Sequence, residues 1–84
     1  MTTPEEIRRC IEAALPDARV RVADTTGGGD HFDVAVSAAA FAGKTMVEQH
    51  RLVYGALSGL MPQIHALSLH TTAPEEKNDG RRAG

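Results

Sequence analysis

Little in this 84-residue chain has chemistry to offer beyond four histidines, one cysteine and a run of three glycines, Gly27 to Gly29, that breaks directly into Asp30 and His31. A glycine run can cradle phosphate, and a histidine can bind a metal or move a proton. Context excludes the phosphate loop. GGGD lacks the GxxxxGK[ST] spacing, and the alternation of Phe32, Val34 and Val36 after it announces a strand, whereas phosphate loops feed a helix N-terminus. Nucleophilic catalysis also lacks its parts. Asp30 and Asp33 flank His31, but no serine or free thiol stands where a base could activate it, and adjacent strand residues point to opposite faces. Cys10 shares an aliphatic stripe with Ile7 and Ile11 and reads as a small core residue. The chain is not expected to be an enzyme.

The histidines matter only through the elements that carry them. Thr3-Pro4-Glu5-Glu6 combines a capping threonine, a proline at the first helical position and a glutamate that completes a capping box. Ile7, Cys10, Ile11, Ala14 and Leu15 follow at helical spacing, and Pro16 ends the stripe. Val20 and Val22, alternating with Arg19 and Arg21, predict a strand over 18–23, and His31 to Ser37 repeat the two-residue period. Residues 24–30 form the hairpin tip, where three glycines predict an open, mobile loop. Ser37 to Phe41 predict a single helical turn. A second capping box, Thr45 to Glu48, opens a helix over 46–60 with Val47, His50, Val53, Tyr54, Leu57 and Met61 on one face, closed by Pro62. Leu52 projects away from that face among Gly55, Ala56 and Gly59. Glycines inside a helix cost about 1 kcal/mol each relative to alanine, so these ask for close approach of another backbone or a packing reason. A third strand is predicted over 64–71.

The expected fold is therefore α+β, in the order α-β-β-(short turn)-α-β. The hairpin makes the first two strands antiparallel, and the helical crossover makes the third parallel to its neighbour. The result is a three-stranded mixed sheet with helices on one face, an order that resembles the class II KH-like fold. One domain is expected over 1–73, with a polar, flexible tail over 74–84 and a turn at Pro74-Glu75-Glu76.

This topology gives the histidines a geometry. His31 begins the second strand and His65 the third. Parallel strands begin at the same end of a sheet, about 5 Å apart, so the two imidazoles can approach one another beside the glycine loop. Two rings make half a metal site. Zinc and iron-sulfur clusters each want four protein-type ligands, and this chain has one cysteine and no CxxC or HxxxH spacing. The missing ligands would come from a partner; the plainer alternative is a pair of polar rim residues. His50, on the apolar helix face, is expected to pack and bond to a carbonyl. His70 carries no special signal.

A formal charge of −2 gives no global attraction to a polyanion. A local strip of Arg8, Arg9, Arg19, Arg21, Lys44 and Arg51 could still serve nucleic acid, although Glu5, Glu6, Asp17, Asp24, Asp30 and Asp33 interleave with it and the GxxG clamp of KH modules is absent. One cysteine gives no sign of an oxidising compartment. MTTPEEIRRC does not look like a signal peptide, and no stretch approaches membrane-spanning length, so a cytoplasmic setting without membrane attachment is expected.

The combination GDHFDVAVSAAAFAGKTMVEQHRLVYGAL followed by IHALSLHTTAPEE, from about Val20 to Glu76, resembles the BolA family. The family pattern joins a hairpin, a Ser-x-x-Phe-x-Gly-Lys turn, a His-Arg-x-Val-Tyr helix and an Ile-His-Ala-Leu strand. The resemblance implies the KH-like fold and a monothiol glutaredoxin partner. With that partner a [2Fe-2S] cluster is shared, completed by glutathione, in iron-sulfur trafficking or iron regulation. It also implies an alternative, since some bacterial members are DNA-binding transcriptional regulators; Arg8, Arg9, Lys44 and Arg51 would then contact DNA. Carried over, the histidine of Ile-His-Ala-Leu is His65, the main cluster ligand. The second comes from the hairpin loop; the position of the family's cysteine falls at about Gly28, which leaves His31. The family's Thr-Pro-x-x-Trp tail is replaced by Ala73-Pro74-Glu75-Glu76-Lys77, without the aromatic anchor. The free protein is expected to be a monomer or a weak homodimer.

Overall fold

The structure is a computed structural model and describes residues 2–74; of the tail expected over 74–84, with its turn at Pro74-Glu75-Glu76, all but Pro74 lies outside the described residues. Helix α1 spans Pro4–Ala14. The Thr3 hydroxyl accepts the Glu6 N–H at 3.2 Å, and the Glu6 carboxylate accepts the Thr3 N–H at 3.0 Å, so two of the free amides at the helix start are satisfied locally. Ile7, Ile11 and Leu15 are buried, Cys10 is half-buried beside them, and Ala14, expected on the same stripe, is exposed.

Strands β1 (Arg19–Asp24), β2 (His31–Ser37) and β3 (Ala66–Thr72) form one sheet in that order. β1 runs antiparallel to β2, and β3 runs parallel to it, with His31 opposite Ala66. Alternation along β2 puts Phe32, Val34 and Val36 into the core. Those side chains share the core with Ile7 and Ile11 of α1 and with Val53 and Leu57, so both helices cover the same face of the sheet. The other face carries Arg19, Arg21 and Ala23 of β1, Asp33 and Ala35 of β2, and Ser68, His70 and Thr72 of β3, all exposed. A short 3-10 turn over Ala39–Phe41 buries Phe41 against the core edge.

Helix α2 spans Met46–Ala56, and its Thr45/Glu48 capping box is formed as the sequence predicts. It stops four residues short of the expected end at Leu60. The Leu57 N–H is shared among the carbonyls of Val53, Tyr54 and Gly55, and the chain then turns so that Leu57, Leu60, Met61 and Ile64 all reach the core. Pro62 sits in a separate 3-10 turn, Met61–Gln63, and closes nothing. The expected apolar face is also split, because Val53 and Leu57 are buried while Val47 and Tyr54 are 59% and 39% exposed. Gly55 and Gly59 have no atom within 4 Å of where a Cβ would stand, so no backbone crowds them. Their cost to the helix is a reason for its early end.

Candidate metal centre

The glycine loop is built by one carboxylate. Asp24, the last residue of β1, accepts N–H bonds from Gly27 at 2.9 Å and Gly29 at 2.8 Å, with a longer one from Thr26 at 3.3 Å. Gly27 and Gly29 turn the chain at φ of +79° and +77°, which side chains rarely adopt. A Cβ on Gly28 would stand 3.3 Å from an Asp30 carboxylate oxygen that already holds the Thr26 hydroxyl at 3.1 Å. The loop is therefore an organised cap, with Gly29 buried, in place of the open loop expected from three glycines. Asp24 at its foot is the residue that sequence reasoning missed. An aspartate two or three residues before glycines is the signal that could have found it, since such carboxylates bond backbone amides just downstream.

From this cap the chain enters β2 at His31. Asp30 then joins the two histidine-bearing segments: its carbonyl accepts the N–H of His65 at 2.8 Å and that of Ala66 at 3.0 Å. β3 starts at Ala66, two residues later than the expected start at Ile64, so His65 lies just before the strand and not within it. The imidazoles of His31 and His65 stand with centroids 5.1 Å apart and planes tilted by 30°. His31 is 40% exposed, with its Nε2 3.9 Å from an Asp30 carboxylate oxygen, and His65 is exposed. Among the described residues no group of three or more histidine, cysteine or carboxylate side chains gathers to hold a metal, so this rim offers at most two nitrogen ligands.

Two imidazoles on one tetrahedral metal, each nitrogen roughly 2.0–2.1 Å away, have centroids about 5 Å apart. The ring centroids of His31 and His65 stand at that separation. Both rings are open to solvent on the outer side, where further ligands could approach. By separation alone, the pair could supply two nitrogen ligands to one metal ion.

The other candidates are dispersed. Arg8 pairs with Glu5 and Glu12 along α1, and Arg9 lies 3.9 Å from the same Glu5 carboxylate. Lys44 stands in the turn before α2, and Arg51 is exposed on α2. Arg19 and Arg21 point out from the opposite face of the sheet. His50 does pack, edge-on to Tyr54 at 6.5 Å, but its buried Nε2 has no hydrogen-bond partner among the described residues, contrary to the expected carbonyl bond. Helical periodicity places a residue on a face and says nothing of which acceptor that face meets. His70 stands on the open sheet face, its Nε2 3.7 Å from the Asp33 carboxylate.

Known proteins agree with this architecture. The chain is 39% identical over 70 residues to the protein BOLA2 of Arabidopsis thaliana, covering 82% of this chain and 75% of that one. The crystal structure of a Bol-like protein from Babesia bovis superposes with a TM-score of 0.80 at 28% identity, covering 90% of each chain. The BolA domain of SufE1 from Arabidopsis thaliana superposes at 0.75 with 33% identity, over 87% of this chain and 93% of that one. Both match an α+β fold of two helices and a three-stranded mixed sheet. Residues 10–76 match the family profile described as BolA, BolA-like protein, and the chain therefore belongs to the BolA family.

Proposed function

We propose that this chain is a non-enzymatic adaptor that binds a monothiol glutaredoxin and shares a [2Fe-2S] cluster with it, in iron-sulfur trafficking or iron regulation. His65 and His31 would hold one iron, and the glutaredoxin cysteine and glutathione would supply the sulfur ligands. The observation that carries this reading is the separation of 5.1 Å between two solvent-facing imidazoles at one rim of the sheet. Membership of the BolA family, with relatives that include BOLA2 and the BolA domain of SufE1, fits an iron-sulfur-related role.

The cluster, when bound, supplies one-electron chemistry and an iron-sulfur unit that can be passed on. The residues of this chain do the rest. Imidazole ligands from His31 and His65 in place of thiolates would lower the negative charge on one iron and raise its reduction potential. The Asp24-built cap fixes the backbone on one side of His31, and the Asp30 carbonyl fixes the His65 backbone against it, so the main chain under both rings is set before any partner arrives. Exposure of both rings leaves the other half of the shell open to the partner.

Mixing the protein with a cluster-loaded monothiol glutaredoxin is expected to change the visible absorption and circular dichroism. His65→Ala should abolish the change, and His31→Ala should weaken it or shift the potential. An unaltered spectrum on mixing would overturn the proposal. Duplex DNA as the partner has weaker support, because two of its four candidate contacts, Arg8 and Arg9, already face Glu5 on their own helix.

A further inference from the structure

The uncovered face of the sheet is a second surface, continuous with the histidine rim. Its cross-strand rows follow from the register: Arg21, Ala35 and His70 in one, Arg19, Ser37 and Thr72 in the next. Small residues on central β2 thus lie between taller ones on β1 and β3, and a concavity of about 200 Å³ runs between the arginines and the His70 side. A second concavity, of about 380 Å³, is lined by His70, Ser68, Asp33 and His31 and continues the trough to the rim. His31 belongs to the same face by its parity in β2.

Charge is divided along this trough. At the histidine end stand Asp30 and Asp33, the latter beside His70. At the far end stand Arg19 and Arg21, and among the described residues neither makes an ion pair. From the His31 position to the Arg21 row is four residues of strand, or about 13 Å. No phenylalanine, tyrosine or tryptophan faces outward here, so a stacking platform for single-stranded nucleic acid is absent from the described face. Alanine and serine on the floor instead allow a polypeptide backbone to lie close.

We infer that this trough docks an extended, acidic segment of the same partner that completes the cluster shell, with its carboxylates on Arg19 and Arg21. The inference rests on the proposed function. It adds that affinity and orientation come from the open face, while the histidines supply ligation. Protein-protein recognition and metal sharing then become separable properties of one sheet.

The test is binding of a monothiol glutaredoxin without iron, measured by calorimetry for the wild type and the double variant Arg19→Glu/Arg21→Glu. Charge reversal is expected to weaken binding about tenfold or more at low salt, with the gap closing as salt is raised. Chemical-shift mapping on the wild-type protein, which does not depend on the variant folding, should mark Arg21, Ala35, Ser37 and His70. Equal affinity of the charge-reversed protein, or shifts confined to α2, overturns the docking surface while a cluster-dependent spectrum keeps the adaptor reading. Loss of duplex-DNA binding in the charge-reversed protein, with glutaredoxin affinity intact, overturns it too. A wild type that binds no glutaredoxin, with or without a cluster, removes both.

Discussion

On one side of β2, Phe32, Val34 and Val36 have at most 2% of their surface left to solvent; on the other, His31, Asp33 and Ala35 stand on an uncovered sheet. Seven consecutive residues therefore serve the core and the candidate site in strict alternation. The difference shows how so small a domain accommodates both. A chain of this size has one core, so binding chemistry is carried on whatever the core leaves uncovered. The two faces also constrain each other. A slip of one residue in the β2 register would turn Phe32 outward and His31 inward. Burial of three apolar side chains thus sets where His31 points, and parallel pairing with β3 sets His65 beside it.

If the faces divide stability from binding in this way, damage to the helix-covered side should be felt first in folding. Phe32→Ala removes the aromatic ring at the start of the buried row, with a cost of about 3–5 kcal/mol. That is a large part of the 5–15 kcal/mol typical of a whole domain. Urea denaturation followed by circular dichroism should show a much lower midpoint or no folded baseline. A loss under about 1 kcal/mol would mean that the buried face does not dominate stability.

Asp24→Ala probes the join between the faces and should have an intermediate effect. It removes the acceptor of the Gly27 and Gly29 amides, and Gly29 is buried, so one N–H is stranded away from water. Bonds to a charged acceptor of this kind contribute about 1.5–3 kcal/mol. The urea midpoint should fall by less than in Phe32→Ala, while hydrogen exchange at Gly29 should quicken more than at Val34. Uniform quickening across the sheet would show that the cap is not a separate unit.

What the residues themselves disclosed follows the range of the interactions involved. β2 is legible to the residue, because Phe32, Val34 and Val36 alternate over a stretch with no competing helical period. Both capping boxes are legible because each closes within four residues. The end of α2 is not, since Leu57, Leu60 and Met61 keep an apolar spacing compatible with a longer helix while tertiary packing turns the chain. The meeting of His31 and His65 follows from topology alone, given that parallel strands start together. The tether through the Asp30 carbonyl, the Asp24 cap and the unpartnered Nε2 of His50 do not, because each depends on a backbone or side-chain atom brought near by folding. The Arg19 and Arg21 trough needs the register between strands, which the pattern of one strand cannot supply.

The smallest effect on folding is expected from the residues most exposed to function. In His31→Ala/His65→Ala, neither ring is part of the buried core, and neither donates or accepts a side-chain hydrogen bond among the described residues; the Asp30 carboxylate stands 3.9 Å from His31 Nε2. The backbone bonds that shape the rim, from His65 and Ala66 to the Asp30 carbonyl, need no side chain. Exposed substitutions of this sort usually change stability by no more than about 0.5 kcal/mol in either direction. The double variant should therefore unfold in urea at nearly the wild-type concentration, yet give no spectral change with a cluster-loaded glutaredoxin. A cost above about 1.5 kcal/mol would make the ring contact a structural element, and loss of the spectral change would then report unfolding as readily as lost ligation. Nearly unchanged stability with the spectrum lost would place the two duties on opposite faces of one strand.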